Sequence, residues 1–388
     1  MSLSVNIHKE LEDFTLNVRF ETDGDVMALL GASGCGKSMT LRCIAGLETP
    51  DRGRIALNGR TLFDSEKRVN VSPQRRRVGC LFQQYALFPN MTVRENLLAA
   101  ARRLPKGRRA AAVDEKLRAF RLEGADRLYP RRLSGGQQQR AALARVLLSE
   151  PECLLLDEPF SALDSYLKWQ TELELGELLR RFRGDALLVT HDRNEAYRLC
   201  DTVCVLADGK SEEKSAVRDL MAQPRTVAAA LISGCKNFSR VRRVDATHVQ
   251  CINWGVTLET SQEVGGVCTY AGVRAHSLHI ARSGEPNRFD ARVVRVIDDA
   301  FSTILMLAPE GGNSLLRMEL SKEEWALMRN PDVVLLGVAP DNVMTLSGEL
   351  CLAGERVISG LANERIQGGR RRWSSPTSTG RDAPAWRT

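Results

Sequence analysis

The chain has 388 residues, 43% of them hydrophobic, enough for two packed domains or one large domain with an appendage, which excludes global disorder. Its apolar runs, such as 227–232, fall well short of the ~20 residues a membrane helix needs, and MSLSVNIHKE has no leader-like apolar core, so a soluble cytoplasmic protein is expected. The net charge of +7 argues against a nucleic-acid partner, because six arginines between 363 and 388, set against Glu364 and Asp382, account for four of the seven.

In chain order, Leu3, Val5, Ile7 and then Phe14, Leu16, Val18 and Phe20 alternate, which predicts two antiparallel strands around a turn near Glu12. Val26–Leu30 reads as a buried strand and Met39–Ala45 as a helix stopped by Gly46. Between them lies GASGCGKS, Gly31–Ser38, which fits the G-x-x-x-x-G-K-[ST] phosphate-binding loop at every required position. Its glycines let successive N–H groups point at phosphate oxygens, and the helix dipole adds partial positive charge. Lys37 is expected to reach the β- and γ-phosphates and Ser38 to ligate magnesium.

Arg54–Leu57 with Asn58-Gly59 reads as a strand and tight turn. Arg75-Arg76-Arg77 and the cluster from Arg102 to Arg109 lack interleaved aromatics and read as solvated surface. Val78–Phe82 reads as a strand delivering Gln83, whose amide could reach a metal or an attacking water, and Thr92-x-x-Glu95 is a capping box. LSGGQQQR opens a helix over 137–147, with Ser134, Gly135 and Gly136 offering a hydroxyl and bare N–H groups to an anion. Cys153–Asp157 is an apolar strand ending in Asp157, suited to magnesium, and Glu158, placed as general base. Ser161-Ala162-Leu163-Asp164 follows, and the strand Ala186–Thr190 ends at His191. The ten cysteines form no C-x-x-C pair and read as reduced, mostly buried thiols.

These motifs stand in the order and rough spacing of an ABC-transporter ATPase, and residues 1–235 resemble that family. The resemblance implies an α/β fold: a P-loop NTPase cassette of mixed sheet, with a helical subdomain at about 84–150. It implies ATP and Mg2+ as ligands and a head-to-tail dimer sandwiching each ATP between the two copies. Gly31, Ala32, Ser33, Gly34, Cys35, Gly36, Lys37, Ser38 and Met39 of one copy would face Ser134, Gly135, Gly136 and Gln137 of the other, with Asp164 completing the nucleotide contacts. Ser38, Gln83 and Asp157 would serve the metal, and Glu158, His191, Gln83 and Lys37 would be catalytic. Met39 replaces the family's usual threonine, and the loop 210–217 lacks its usual glycine. Phe14 is either the adenine-stacking aromatic or core. The region 83–96 resembles the groove that receives a helix from a membrane permease, to which an extracellular binding protein would deliver cargo.

From about Lys236 short strands dominate: 249–252, 256–258, 269–273, 291–297, 303–307, 315–318 and 333–338, with one helix at 322–328. They predict a small all-β, OB-like domain over 236–350, similar to the regulatory domain of importer ATPases, followed by a disordered basic tail over 351–388. TLFDSEKRVNVSPQRRRVG, ISGCKNFSRV and NWGVTL resemble molybdate-importer ATPases, which makes molybdate the expected cargo, with sulfate, ferric ion, polyamine or sugar importers sharing the architecture. Ser233, Lys236 and Ser302 are the residues this reading offers to an oxyanion. A DNA-repair ATPase would need a long insertion between Gln83 and Ser134, where only about fifty residues lie, and a translation factor would need two cassettes.

Overall fold

The computed structural model describes residues 2–349 apart from 13, 84, 162–164 and 330. The tail expected over 351–388 and Asp164 lie outside the described residues.

Five parallel strands form the centre of the first sheet, in the order Val78–Leu81, Cys153–Asp157, Asp185–Thr190, Val26–Leu30, Thr202–Ala207. Cys153–Asp157 and Asp185–Thr190 are buried at every position, which is why they read as unbroken apolar runs rather than alternations. Antiparallel strands extend the same sheet, among them Leu3–Glu10 and Thr15–Glu21. Thr15–Glu21 alternates exposed and buried, as one face against the core requires. The register aligns Leu30 with Thr190, Asp157 with Val189 and Leu81 with Leu156, so the loops that follow four strands leave from one edge.

The helices Val93–Ala100, Lys106–Ala119 and Gly135–Leu148 share a core of Val93, Leu97, Val113, Leu117, Ala141 and Leu148. The β region holds two five-stranded antiparallel sheets over a common core that includes Trp254, Leu258, Leu305, Leu307 and Leu336, the OB-like module expected. Three of its strands escape the sequence reading: Asn237–Arg243, Leu278–Ile280 and Met344–Leu346. The first ends in part-buried Val241 and the exposed Arg242 and Arg243, which break the alternation, and the other two are three residues long, too short for a period to register. The helix Val227–Ile232 packs Val227 and Ala230 on Met344 and Leu346 across the expected boundary at 235. Residues 1–350 form one compact unit.

One expectation is corrected. Arg76 is not solvated surface: it is fully buried, while its neighbours Arg75 and Arg77 are exposed. Its guanidinium donates to the carbonyls of Cys43 and Ile44 at 2.8 Å each, to Val71 O at 2.7 Å and to Asn70 Oδ1 at 2.9 Å. The first two are end carbonyls of the helix Lys37–Ala45: Cys43 O also accepts from the C-cap Gly46 N at 3.2 Å, whereas Ile44 O takes its donor from Arg76.

Candidate nucleotide site

Gly36 starts the phosphate-loop helix with φ +105°, and a Cβ there would stand 2.5 Å from Leu16 Cδ1, so position 36 must be glycine both for conformation and for space. The helix Lys37–Ala45 begins two residues earlier than the apolar pattern suggests. Its first intrahelical bond runs from Thr40 N to Gly36 O, leaving the N–H groups of residues 37–39 open towards the loop. Met39 packs its side chain against the sheet core, so its N–H is the group it can offer a phosphate. Phe14 packs on the same core with its ring edge against Gly36, near the loop.

Lys37 is buried, and its ammonium donates to Gly31 O at 2.8 Å and Ala32 O at 2.7 Å. Ala32, Ser33 and Gly34 are exposed, and Cys35 is buried, with burial pushing its thiol up. The Ser38 hydroxyl donates to Asp157 Oδ1 at 2.9 Å. Burial raises the Asp157 carboxyl above its ordinary value, the bond from Ser38 works the other way, and the neighbouring Glu158 charge raises it again. A buried carboxylate beside a hydroxyl, both hard oxygen donors at the mouth of a phosphate loop, fits Mg2+.

Glu158 leaves the strand end with φ +43°, its N–H held by Val189 O at 3.0 Å. Its Oε1 lies 3.2 Å from His191 Nδ1, so residues 33 apart in sequence meet at one edge. Gln83 is exposed just past Val78–Leu81. Ser134 caps the helix Gly135–Leu148 in a capping box: its Oγ accepts from Gln137 N at 3.3 Å, and Gln137 Oε1 accepts from Ser134 N at 3.0 Å. The Gly135 and Gly136 N–H groups stay open at that N-terminus. Among the described residues, no hydrogen bond joins the 134–137 turn to the phosphate loop of the same chain.

Two supports went unread in the sequence. Arg76 fixes the far end of the phosphate-loop helix, as described above. Lys168 pins the His191 turn: its Nζ sits 2.8 Å from Asp192 Oδ2 and 2.6 Å from Glu195 Oε1, and the Thr190 hydroxyl donates to Glu195 Oε2 at 2.5 Å. Asp192-x-x-Glu195 is itself a capping signature, which would have flagged the turn. Of the oxyanion residues, Ser233 is buried with its carbonyl accepting from Arg193 and Arg274, Lys236 lines the cavity beside it, and the Ser302 hydroxyl is taken up by Glu319 at 3.0 Å.

The edge therefore gathers a phosphate loop, a buried carboxylate, a second carboxylate and a histidine. This is the equipment of a nucleotide-hydrolysing cassette. The family profile described as ABC transporter matches residues 13–161. The spermidine/putrescine import ATP-binding protein PotA of Rubrobacter xylanophilus is 37% identical over 336 residues, spanning 83% of this chain and 87% of that protein. The PotA of Methylococcus capsulatus is 43% identical over 59% of this chain, and this chain spans 58% of its length. The molybdenum import ATP-binding protein ModC of Paramagnetospirillum magneticum is 37% identical over 57% of this chain and 61% of its own. The chain belongs to the ATP-binding subunits of ABC transporters, of the importer type. It is an ATPase, with ATP as substrate and Mg2+ as the companion ion.

Proposed function

We propose that ATP is hydrolysed between two copies of this chain, and that the closure so driven powers import through a separate membrane permease. Lys37 leaves the Gly31 and Ala32 carbonyls for the phosphates, and Ser38 and Asp157 hold the ion. Mg2+ neutralises charge on the phosphate oxygens when bound. Glu158 takes a proton from the attacking water, Gln83 orients that water, and His191, its Nδ1 tied to Glu158, steadies the terminal phosphate. The observation that carries the reading is the Glu158–His191–Asp157–Ser38 set at one strand edge. The 134–137 turn supports the same reading: among the described residues it makes no hydrogen bond to the phosphate loop of its own chain, and a head-to-tail partner copy would bring phosphates to its open N–H groups. Asp164 is assigned to the same nucleotide contacts from its sequence position alone.

Phe88, exposed in the 83–96 loop and stacked under Arg145 at 5.2 Å, supports docking of the permease there, and such docking would keep the chain at the cytoplasmic membrane face as a peripheral subunit. Among the described residues, no helix is long and apolar enough to cross a membrane.

For the cargo, the alignment that runs on through the β module is with a spermidine/putrescine protein, which favours a polyamine. Molybdate is the second reading, supported by the ModC relative and by cations gathered beside Ser233 and Lys236. Cells lacking the chain, complemented with wild type or Glu158→Gln, separate the two. A deficit in radiolabelled spermidine uptake restored only by wild type supports the polyamine. A deficit in cell molybdenum under limiting molybdate supports the oxyanion. Purified Glu158→Gln should lose turnover and hold an ATP-bound dimer on a sizing column; undiminished hydrolysis would sink the assignment of the base.

A further inference from the structure

A cavity of about 390 Å³ opens where the helix Arg193–Leu199 meets the β module, and its charges are unbalanced: Arg193, Lys236, Arg274 and Arg317 against Glu319 alone. Arg193 Nη1 and Arg274 Nη1 both donate to a single acceptor, Ser233 O, at 3.0 and 2.7 Å. Arg274 Nη2 turns to Met221 O at 2.6 Å and Ser233 Oγ at 3.1 Å. Among the described residues, no carboxylate lies within ion-pair distance of Arg193, Lys236 or Arg274. Glu319 approaches Arg317 Nη2 only to 3.7 Å and spends its other oxygen on Ser302, while Arg317 Nε is buried with no partner. Burial and the nearby Arg193 charge hold the Arg274 guanidinium below its ordinary value, against the nearby Cys235, which acts the other way.

Unpaired cations gathered in a concave site repel one another and forgo hydration, a cost that an anion removes. Guanidinium groups present paired donors suited to tetrahedral oxyanions. The cavity exceeds the volume of one such ion, and Tyr197 and Met221 offer an apolar wall to a small attached body. Position 234 is built around the same cluster: with φ +99°, Gly234 leaves the space its side chain would take to the Arg193 guanidinium.

We propose that this cavity binds a small phosphoryl- or sulfate-class anion, and that its occupancy is felt at His191. Arg193 opens the helix immediately after the His191-Asp192 turn, and its guanidinium reaches Ser233. An anion competing for Arg193 loosens that tie and shifts the turn bearing His191, which faces Glu158 at 3.2 Å. The coupling, not the binding, rests on the ATPase reading above.

The test is equilibrium dialysis of the full chain carrying Lys37→Ala, which strips the phosphate loop of its main anion contact, against labelled sulfate and labelled 3-phosphoglycerate. Saturable binding is expected, weakened at least about tenfold by adding Lys236→Gln and Arg317→Gln. Both added changes should leave the melting profile close to that of the parent. Tighter binding of 3-phosphoglycerate would assign an organic phosphate, and equal binding a free oxyanion. No saturable binding of either probe, or binding indifferent to Lys236 and Arg317, overturns the site. In the chain with Lys37 intact, saturating anion should change the ATP hydrolysis rate at least about twofold, an effect lost in the Lys236→Gln, Arg317→Gln variant. A rate unmoved by bound anion overturns the coupling. A chain that hydrolyses no ATP at all overturns the catalytic reading instead and leaves the dialysis result intact.

Discussion

Replacing Arg76 by Met keeps much of the side chain's volume and removes a charge that is fully buried. The loss is not the charge itself but its four acceptors, of which Cys43 O and Ile44 O close the helix that carries Lys37 and Ser38. A buried acceptor left without a donor costs about 1–3 kcal/mol, and here that acceptor is Ile44 O, since Cys43 O keeps Gly46 N. Val71 O and Asn70 Oδ1 lose part-buried hydrogen bonds to a charged donor as well, at about 1 kcal/mol each, so ~4 kcal/mol is the expected destabilisation. At about 2.1 cal/mol/K per residue over a unit of ~350 residues, that lowers the melting temperature by roughly 5 °C. Scanning calorimetry of the nucleotide-free chain reads the shift, and a fluorescent ATP analogue reads the loop. Because the disturbed helix end belongs to the phosphate-loop helix, the affinity should fall as well. Arg76→Lys should recover only part of the loss, since one ammonium cannot serve four acceptors arranged around a planar fork. A melting shift below about 1 °C with unchanged nucleotide affinity would refute the account.

Three further outcomes are expected. Gly36→Ala meets Leu16 Cδ1 at 2.5 Å and a backbone at φ +105°, so ATP affinity should drop at least about tenfold, measured by the same analogue. Burial raises the Asp157 carboxyl, so the folded chain binds that proton more tightly than the unfolded chain, and stability falls as pH rises from the unfolded value of 3.8 through the raised folded one. Asp157→Asn should therefore melt above wild type at pH 7 without nucleotide, with the gap closing as pH falls through that window; a gap constant with pH would count against it. Gln137→Glu can still accept from Ser134 N, so the fold should hold, while Gln137→Ala should cost ~1 kcal/mol of helix stability. In the proposed ATP-bound dimer the added charge of Gln137→Glu should weaken association, read on a sizing column in the Glu158→Gln background.

The parallel strands were legible because burial on both faces leaves no alternation to disguise them, and Gly31–Ser38 because its spacing is a chemical requirement. Glu158 and His191 were legible as strand-end residues, although that they lie 3.2 Å apart follows only from the register of the two strands. Arg76 was hidden by its company: a run of three arginines looks solvated, and nothing local says that the middle one turns inward to a helix end 32 residues earlier. The basic cavity was hidden for a related reason. Arg193, Lys236, Arg274 and Arg317 come from four separate stretches, and no linear pattern places them on one wall.

The 134–137 turn shows how one short sequence serves two levels at once. Ser134 and Gln137 satisfy each other as a capping box, which any helix could use, and in doing so they leave the glycine N–H groups between them unclaimed. A glycine pair at that place costs helix stability relative to alanine. It also lets an anion approach the open end without meeting a Cβ, since only the Arg140 side chain, at 3.8 Å, would touch one built on Gly136. Among the described residues, that opening makes no hydrogen bond to the phosphate loop of its own chain. Both half-sites offer N–H donors and partial positive charge, so phosphates shared between two copies would satisfy both, and that is the physical argument for a second copy closing over the nucleotide.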